Sequence, residues 1–378
     1  MIQKIIKNSR ILSKSSNLST FNKCTSQYLN SRYVSTLKSS GKSHYSANYN
    51  WLLYTSLLVA GFSTYNYQKS SIELEHKKPN YEDKSTPISE RMSEYVKNLQ
   101  NQICEELSKI DGKEFVRDSW TRKLGGEGIS CVLQDGNVFE KAGVNISIVH
   151  GKLPLPAIKQ MRANASEQLK GPGPYNFFTA SLSLVLHPHN PFCPNKNKVW
   201  WFGGGSDLTP AYLIEEDAKH FHKTLKDACD KHDPAFYTDF KKWCDKYFYN
   251  THRSEARGIG GIFFDDLDSK DPEQLFKFVR ECGDSFLPSY VPILKKRINT
   301  PFTKEQKEWQ QMRRGRYVEF NLIHDRGTKF GLATPNPRIE SILVSLPKTA
   351  SWAYNHQPEA NSPEAKLVDV LKNPKEWA

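Results

Sequence analysis

The stretch Trp200-Trp201-Phe202-Gly203-Gly204-Gly205-Ser206-Asp207-Leu208-Thr209-Pro210 concentrates features that chemistry can use. Three aromatic residues end a predicted strand, three glycines let the backbone turn tightly or approach a ligand, and Asp207 offers a carboxylate beside that open backbone. Such a carboxylate can accept hydrogen bonds from a ligand and help to move a proton. The competing reading is structural: Pro210 suits the first turn of a helix, and Asp207 or Thr209 would then cap it.

Histidines give a second set of candidates. His187 and His189 flank Pro188 at a predicted strand end, and His252 precedes a glycine turn. His220 and His222 stand two apart on a predicted helix and face different ways. A metal held by His187, His222 and His252 is geometrically possible, but no spacing motif supports it, and hydrogen-bonded core imidazoles fit better; no metal is expected. Seven cysteines without a C-x-x-C pair give no zinc or thioredoxin-like signature. Gly258-Ile259-Gly260-Gly261 and Gly125-Gly126-Glu127-Gly128 precede strands, where a dinucleotide fingerprint must follow one. Gly203-Gly204-Gly205, read as following a strand and opening a helix, lacks the Gly-Lys-Ser/Thr of a phosphate loop, so no nucleotide cofactor is expected.

A third cluster is basic: Arg313, Arg314, Arg316, Arg326, Lys329 and Arg338, interleaved with Tyr317, Phe320 and Phe330. Nucleic acid is one reading, but Glu319, Asp325 and Glu340 dilute the charge. Guanidinium forks around aromatic rings fit a small ligand that carries several carboxylates on an apolar framework.

These residues need a scaffold. The pattern Met92, Val96, Leu99, Ile103, Leu107, Ile110 predicts a helix over Ser89–Ile110. Strands are predicted at Gly128–Gln134, Val138–Val149, Phe177–His187, Val199–Phe202, Gly260–Phe264, Arg316–His324 and Thr328–Leu332, with hairpin turns at Asp135-Gly136 and Arg326-Gly327. Helices are predicted at Ala211–Lys231, Pro234–Asn250 and Pro272–Ile298. Hairpins with grouped helices predict an α+β class: a large antiparallel β-sheet flanked by helices, a single domain over 84–378.

The chain of 378 residues has a net charge of +12, from 53 basic and 41 acidic side chains. Nine of the basic residues precede residue 73 and no acidic residue does, so the remainder carries only +3. Residues 1–83 read as a mitochondrial targeting leader with a linker: amphipathic, free of acidic residues before Glu73 and rich in Ser, with the apolar run 51–62 as a sorting segment too short to span a bilayer comfortably. Together these parts resemble a signal for the intermembrane space.

Longer runs carry a specific resemblance. Gly128–Gly136, Trp201–Pro210, Arg257–Leu267, Arg313–Asn321, Asp325–Thr328 and Arg338–Leu343, in this order, are similar to oxygen-dependent coproporphyrinogen III oxidase from about Met92 to the C-terminus. The resemblance implies oxidative decarboxylation of two propionates of coproporphyrinogen III to vinyl groups, giving protoporphyrinogen IX in haem synthesis. It further implies molecular oxygen as co-substrate, no metal or organic cofactor, a homodimer, no nucleic acid, and at most a loose association with the inner membrane. It makes Asp207 the catalytic carboxylate beside the substrate pyrroles, with Ser183, Asn336, Pro337 and Arg338 in substrate binding. The dimer-contact segment it implies is Val132, Leu133, Gln134, Asp135, Gly136, Asn137, Val138, Phe139, Glu140 and Lys141.

One departure stands out. In the family the stretch after His187–Pro194 continues into a strand of pattern Thr-x-His-x-Asn-x-Arg-Tyr, which supplies a proton-donor histidine and a substrate arginine. Here Asn195-Lys196-Asn197-Lys198 leads directly to Val199-Trp200, and the strand is expected to be missing from the sheet. The alternative to an active enzyme is therefore a catalytically impaired tetrapyrrole-binding homologue.

Overall fold

The computed structural model describes residues 80–123, 125–153, 173–193, 195–198, 203–268, 270–333 and 337–378. The leader up to residue 79, its apolar run and the predicted strand at 199–202 lie outside the described residues.

Helix α1 (Ile88–Asp111) forms where the periodic apolar stripe predicts it, and buries Met92, Val96, Leu99, Ile103 and Leu107. It stops at Gly112, whose φ of 78° is the left-handed cap that glycine adopts without a Cβ penalty. The last helical residue, Asp111, accepts hydrogen bonds from the backbone N–H groups of Asn137, Val138 and Phe139 at 2.8–2.9 Å. That contact fastens the helix to the turn between the second and third strands.

The strands are β1 (Val116–Thr121), β2 (Gly126–Gln134), β3 (Phe139–Leu153), β4 (Tyr175–Pro188), β5 (Asn195–Lys198), β6 (Gly204–Thr209), β7 (Tyr249–Asn250), β8 (Glu255–Ala256) and β9 (Gly261–Phe264). Seven of them form one antiparallel sheet in the order β1-β2-β3-β4-β5-β6-β9, and β7 and β8 make a separate ribbon. The expected α+β class is therefore observed. Directly opposed residues share a face of such a sheet. One face carries Cys131, Leu133, Val144, Ile146, Leu182, Leu184, Leu186, Leu208 and Ile262, all part of the main core. Against it lie α1, α2 (Glu215–Asp230) and α4 (Pro272–Asp284), which contribute Leu99, Ile103, Phe221, Leu225, Phe276 and Val279. The opposite face is polar and bears the candidate site.

The sheet keeps a strand after Pro194. β5 is four residues long, pairs Leu184, Val185 and Leu186 of β4, and pairs Asp207, Leu208 and Thr209 of β6. The facing edges of β4 and β6 each present N–H and C=O groups that need partners, and the Asn-Lys-Asn-Lys run meets that requirement. The expected loss of a strand is thus corrected to a four-residue strand, which carries neither a histidine nor an arginine.

Other expectations need correction. Gly204 and Gly205 begin a strand, β6, whose every residue is buried, and the following helix does not start until Glu215; neither Asp207 nor Thr209 caps it. Glycine serves close strand packing here: a Cβ on Gly261, whose φ is +155°, would lie 1.9 Å from the Ser206 carbonyl oxygen across the β6–β9 ladder. The predicted helix Pro234–Asn250 is α3 (Phe236–Tyr247). The long helix predicted over Pro272–Ile298 is two, α4 and α5 (Phe286–Arg297), with Asp271 capping α4. The strands predicted at Arg316–His324 and Thr328–Leu332 are helical. A Thr303–Gln306 capping box opens α6 (Lys304–Glu319), which runs into a π-helical turn at Phe320–His324 and then α7 (Arg326–Ala333). The short α8 (Ile339–Leu343) and α9 (Pro363–Lys372) complete the chain. No helix among the described residues is long and apolar enough to cross a membrane.

Candidate functional site

The polar sheet face is built by register. Ser130, Asn145 and Ser183 are direct neighbours across β2, β3 and β4, and Ser147 opposes Ser181 one step along. The next row runs Val185, Asn197, Asp207, Gly261 through β4, β5, β6 and β9. Ser183 and Asp207 therefore look out from the same side of the sheet. Helix α8 and the residues after it lie over this face. Asn145 donates to the Ser341 carbonyl at 3.1 Å, the Ser130 and Ser341 hydroxyls are 3.0 Å apart, and a Cβ on Gly143 would come within 2.7 Å of Val344. The side-chain oxygen of Asn145 is buried with no hydrogen-bond partner among the described residues. Asn145 and Ser130 were not expected as site residues, and only strand register reveals them.

Arg338 lies at the β1 end of the same face, bonded to Asp118, 3.2 Å from the Ser341 hydroxyl and 5.6 Å above the Trp120 ring. Pro337 precedes it, and Asn336 lies outside the described residues. In the Val132–Lys141 segment, Leu133, Val138, Phe139 and Glu140 are buried within the chain, whereas Gln134, Asp135 and Asn137 are exposed.

Asp207 is 2 % exposed and does not stand alone. Its two oxygens accept from Arg257 Nε at 3.1 Å and Nη2 at 2.9 Å, a bidentate pair, while Arg257 Nη1 donates to Asn321 at 3.2 Å. The guanidinium carbon sits 3.9 Å from the Phe248 ring centroid, 4.6 Å from that of Phe320 and 5.2 Å from that of Tyr317. Burial works against its charge, but the Asp207 carboxylate outweighs burial and raises its pKa.

The basic cluster proves to be internal framework. Arg313 pairs with buried Glu255 at 2.8 Å, Arg314 with buried Glu140, and Arg316 with Glu319 at 3.1 Å. Glu319 also accepts from Arg253, His252 and Trp352, and these hydrogen bonds overcome burial to push its carboxyl down to about 2. The reading of all these arginines as carboxylate clamps is corrected: a guanidinium committed to an internal carboxylate is not available to a ligand. Arg326, paired with Asp265, and Arg338 remain at the surface.

The three histidines of the possible metal site lie on separate elements with protein partners. His187 Nε2 is 2.9 Å from the Ser345 carbonyl, His222 bridges Tyr237 Oη and the Ile259 carbonyl, and His252 contacts His324 and Glu319. Among the described residues no group of three or more His, Cys, Asp or Glu is placed to hold a metal. Burial pushes both His187 and His222 down to about 3, with the neighbouring charge of Arg314 adding to the effect at His187. An unfolded histidine takes up a proton near pH 6.5, whereas these remain neutral in the fold until about pH 3. Their contribution is therefore complete above pH 6.5 and is lost as the pH falls toward 3. Urea unfolding at stepped pH is expected to show stability falling below pH 6.5, with a shallower slope in His222→Gln; equal slopes in the two proteins would refute this assignment.

A buried carboxylate–guanidinium pair beside a polar sheet face marks the candidate site of this α+β protein, and Arg313, Arg314 and Arg316 are neutralised internally. Comparison with known proteins makes the class specific. Residues 91–377 match the family described as Coproporphyrinogen III oxidase. The chain is 54% identical over 302 residues to the mitochondrial oxygen-dependent coproporphyrinogen-III oxidases of Rattus norvegicus and Homo sapiens, covering 76% of this chain and 68% and 66% of theirs. It is 52% identical over 312 residues to the chloroplastic coproporphyrinogen-III oxidase 1 of Arabidopsis thaliana, covering 78% of this chain and 80% of the relative. The chain belongs to the coproporphyrinogen III oxidase family.

Proposed function

We propose that the chain is an oxidoreductase of haem biosynthesis that uses molecular oxygen to decarboxylate two propionates of coproporphyrinogen III, giving protoporphyrinogen IX. The observation that carries this is identity above half to oxygen-dependent coproporphyrinogen-III oxidases over three quarters of the chain. The site chemistry supports it. A reduced tetrapyrrole presents N–H donors, and Asp207 and Ser183 are acceptors on one sheet face. Its propionates need cations at the rim, and Arg338 is an accessible guanidinium there. In this reading Asp207 is the catalytic carboxylate, Ser183 with Asn336, Pro337 and Arg338 binds substrate, and no metal or organic cofactor takes part.

We further propose that the chain acts in the mitochondrial intermembrane space, after removal of its leader, as a homodimer in loose contact with the inner membrane. The leader, free of acidic residues before Glu73, supports the mitochondrial part. The exposed Gln134, Asp135 and Asn137 of the Val132–Lys141 segment supply surface for the dimer contact.

Incubating the purified chain with coproporphyrinogen III in air and under nitrogen tests the activity. Conversion to the divinyl product in air alone is expected, and no conversion in air would overturn the reading.

A further inference from the structure

Arg257 belongs to none of the roles assigned so far, yet hydrogen bonds and aromatic rings hold it from several sides. It follows the β7–β8 ribbon, is 3 % exposed, and reaches back to β6, 50 residues earlier in the chain. Three aromatic rings enclose it: Phe248 before the ribbon, Tyr317 on α6 and Phe320 at the start of the π-helical turn. Asn321, on the same turn, holds the third nitrogen. A guanidinium fixed on every side is a rigid template, and a planar fork bonded to both carboxylate oxygens fixes the plane as well as the place of its partner.

We propose that Arg257 is a positioning residue for Asp207: it orients the carboxylate so that one acceptor direction on each oxygen is taken by the guanidinium and the other faces the polar sheet side. The inference rests on the reading of Asp207 as the group that meets the pyrrole N–H donors. Its consequence is mechanistic. Asp207 meets the substrate as an anchored acceptor, with its angle set before binding, and the reorganisation that a free carboxylate would require is avoided. Asn321 is the second support, since it sets the rotation of the guanidinium about its own axis. The π-helical turn Phe320–His324 contributes both Phe320 and Asn321, so the irregularity in the helix places two contacts on one arginine.

A double-mutant cycle tests the proposal with Asp207→Asn, Arg257→Lys and the two combined, each measured per folded molecule. Lysine keeps the charge but cannot form the fork. Arg257→Lys alone is expected to lower kcat at least tenfold with KM changed less than threefold. In the Asp207→Asn background the same substitution is expected to have no further effect, because a residue acting through another is silent once that other is gone. Losses that simply multiply, or a kcat in Arg257→Lys equal to wild type, would overturn it. Should Arg257→Lys fail to fold, Asn321→Ala carries the same cycle with a smaller expected loss. The same four proteins titrated with coproporphyrin III by fluorescence separate the two failures. Absence of wild-type turnover sinks the functional reading, whereas the orienting role still stands if the Kd losses are non-additive and falls if they are additive.

Discussion

Asp207→Ala is expected to lose both turnover and stability. The substitution leaves Arg257 in a site that is 3 % exposed, with its carboxylate gone. Breaking a buried hydrogen-bonded ion pair by removing one partner costs about 3–5 kcal/mol, because the surviving charge stays buried without compensation. Asp207→Asn retains the shape and one oxygen acceptor, so its penalty is smaller, and it is the variant that isolates chemistry. Turnover per folded molecule is expected to fall on the order of 10²–10⁴-fold in Asp207→Asn. Thermal unfolding followed with single-substrate kinetics measures both effects. Wild-type kcat in a folded Asp207→Asn protein would remove Asp207 from the reaction.

A comparable structural loss is expected at Arg314, for a different reason. Its guanidinium is 1 % exposed, bonds Glu140 on β3, and donates to the Pro188 carbonyl at 2.8 Å at the end of β4. Thr349 donates to the other oxygen of Glu140 at 2.8 Å, so the segment after α8 is tied in as well. Burial raises the Glu140 carboxyl, and the Arg314 charge overcomes it to hold the group below its ordinary value. Arg314→Met leaves that carboxylate buried without its guanidinium and leaves the Pro188 carbonyl only its longer bond from Gln310 at 3.2 Å, at a cost of about 3–5 kcal/mol. Arg314→Met with Glu140→Leu removes both charges, and most of the stability should return. Urea unfolding of the wild type, Arg314→Met, Glu140→Leu and the double variant reads the result, and a double variant as unstable as the sum of the two singles would contradict it.

These contrasts show which parts of the molecule were legible in the chain. Helix α1 was, because six apolar residues at helical spacing can be buried in only one conformation. The long strands β2, β3 and β4 were legible from alternation and from the Asp135-Gly136 turn. Helix α6 was not. It buries Gln310, Arg313, Arg314 and Gly315 beside Trp309 and Tyr317, so its inward face is polar and lacks an apolar stripe, and the alternation of basic and aromatic residues imitated a strand. What carried the helix signal was the Thr303–Gln306 capping box.

The site divides in the same way. Asp207 was singled out from local sequence, but its partner Arg257 could not be, since the pairing depends on β6 meeting the residue that follows a ribbon 50 positions later. Ser130 and Asn145 carry no local signal at all; only antiparallel register sets them beside Ser183. Arg313 and Arg314 were legible as charge and misread as ligand clamps, because the acids that neutralise them, Glu255 and Glu140, are distant in sequence.

Strand β5 bears most directly on activity, since between β4 and β6 the sheet has only Asn195–Lys198, with neither a histidine nor an arginine. The decisive measurement uses coproporphyrinogen III labelled in its propionate carboxyl carbons and counts labelled carbon dioxide released by the purified chain in air. Two carbon dioxide molecules per tetrapyrrole consumed are expected. Tight binding of the tetrapyrrole with no labelled carbon dioxide would contradict the assignment and identify the chain as a binding protein built on the oxidase fold.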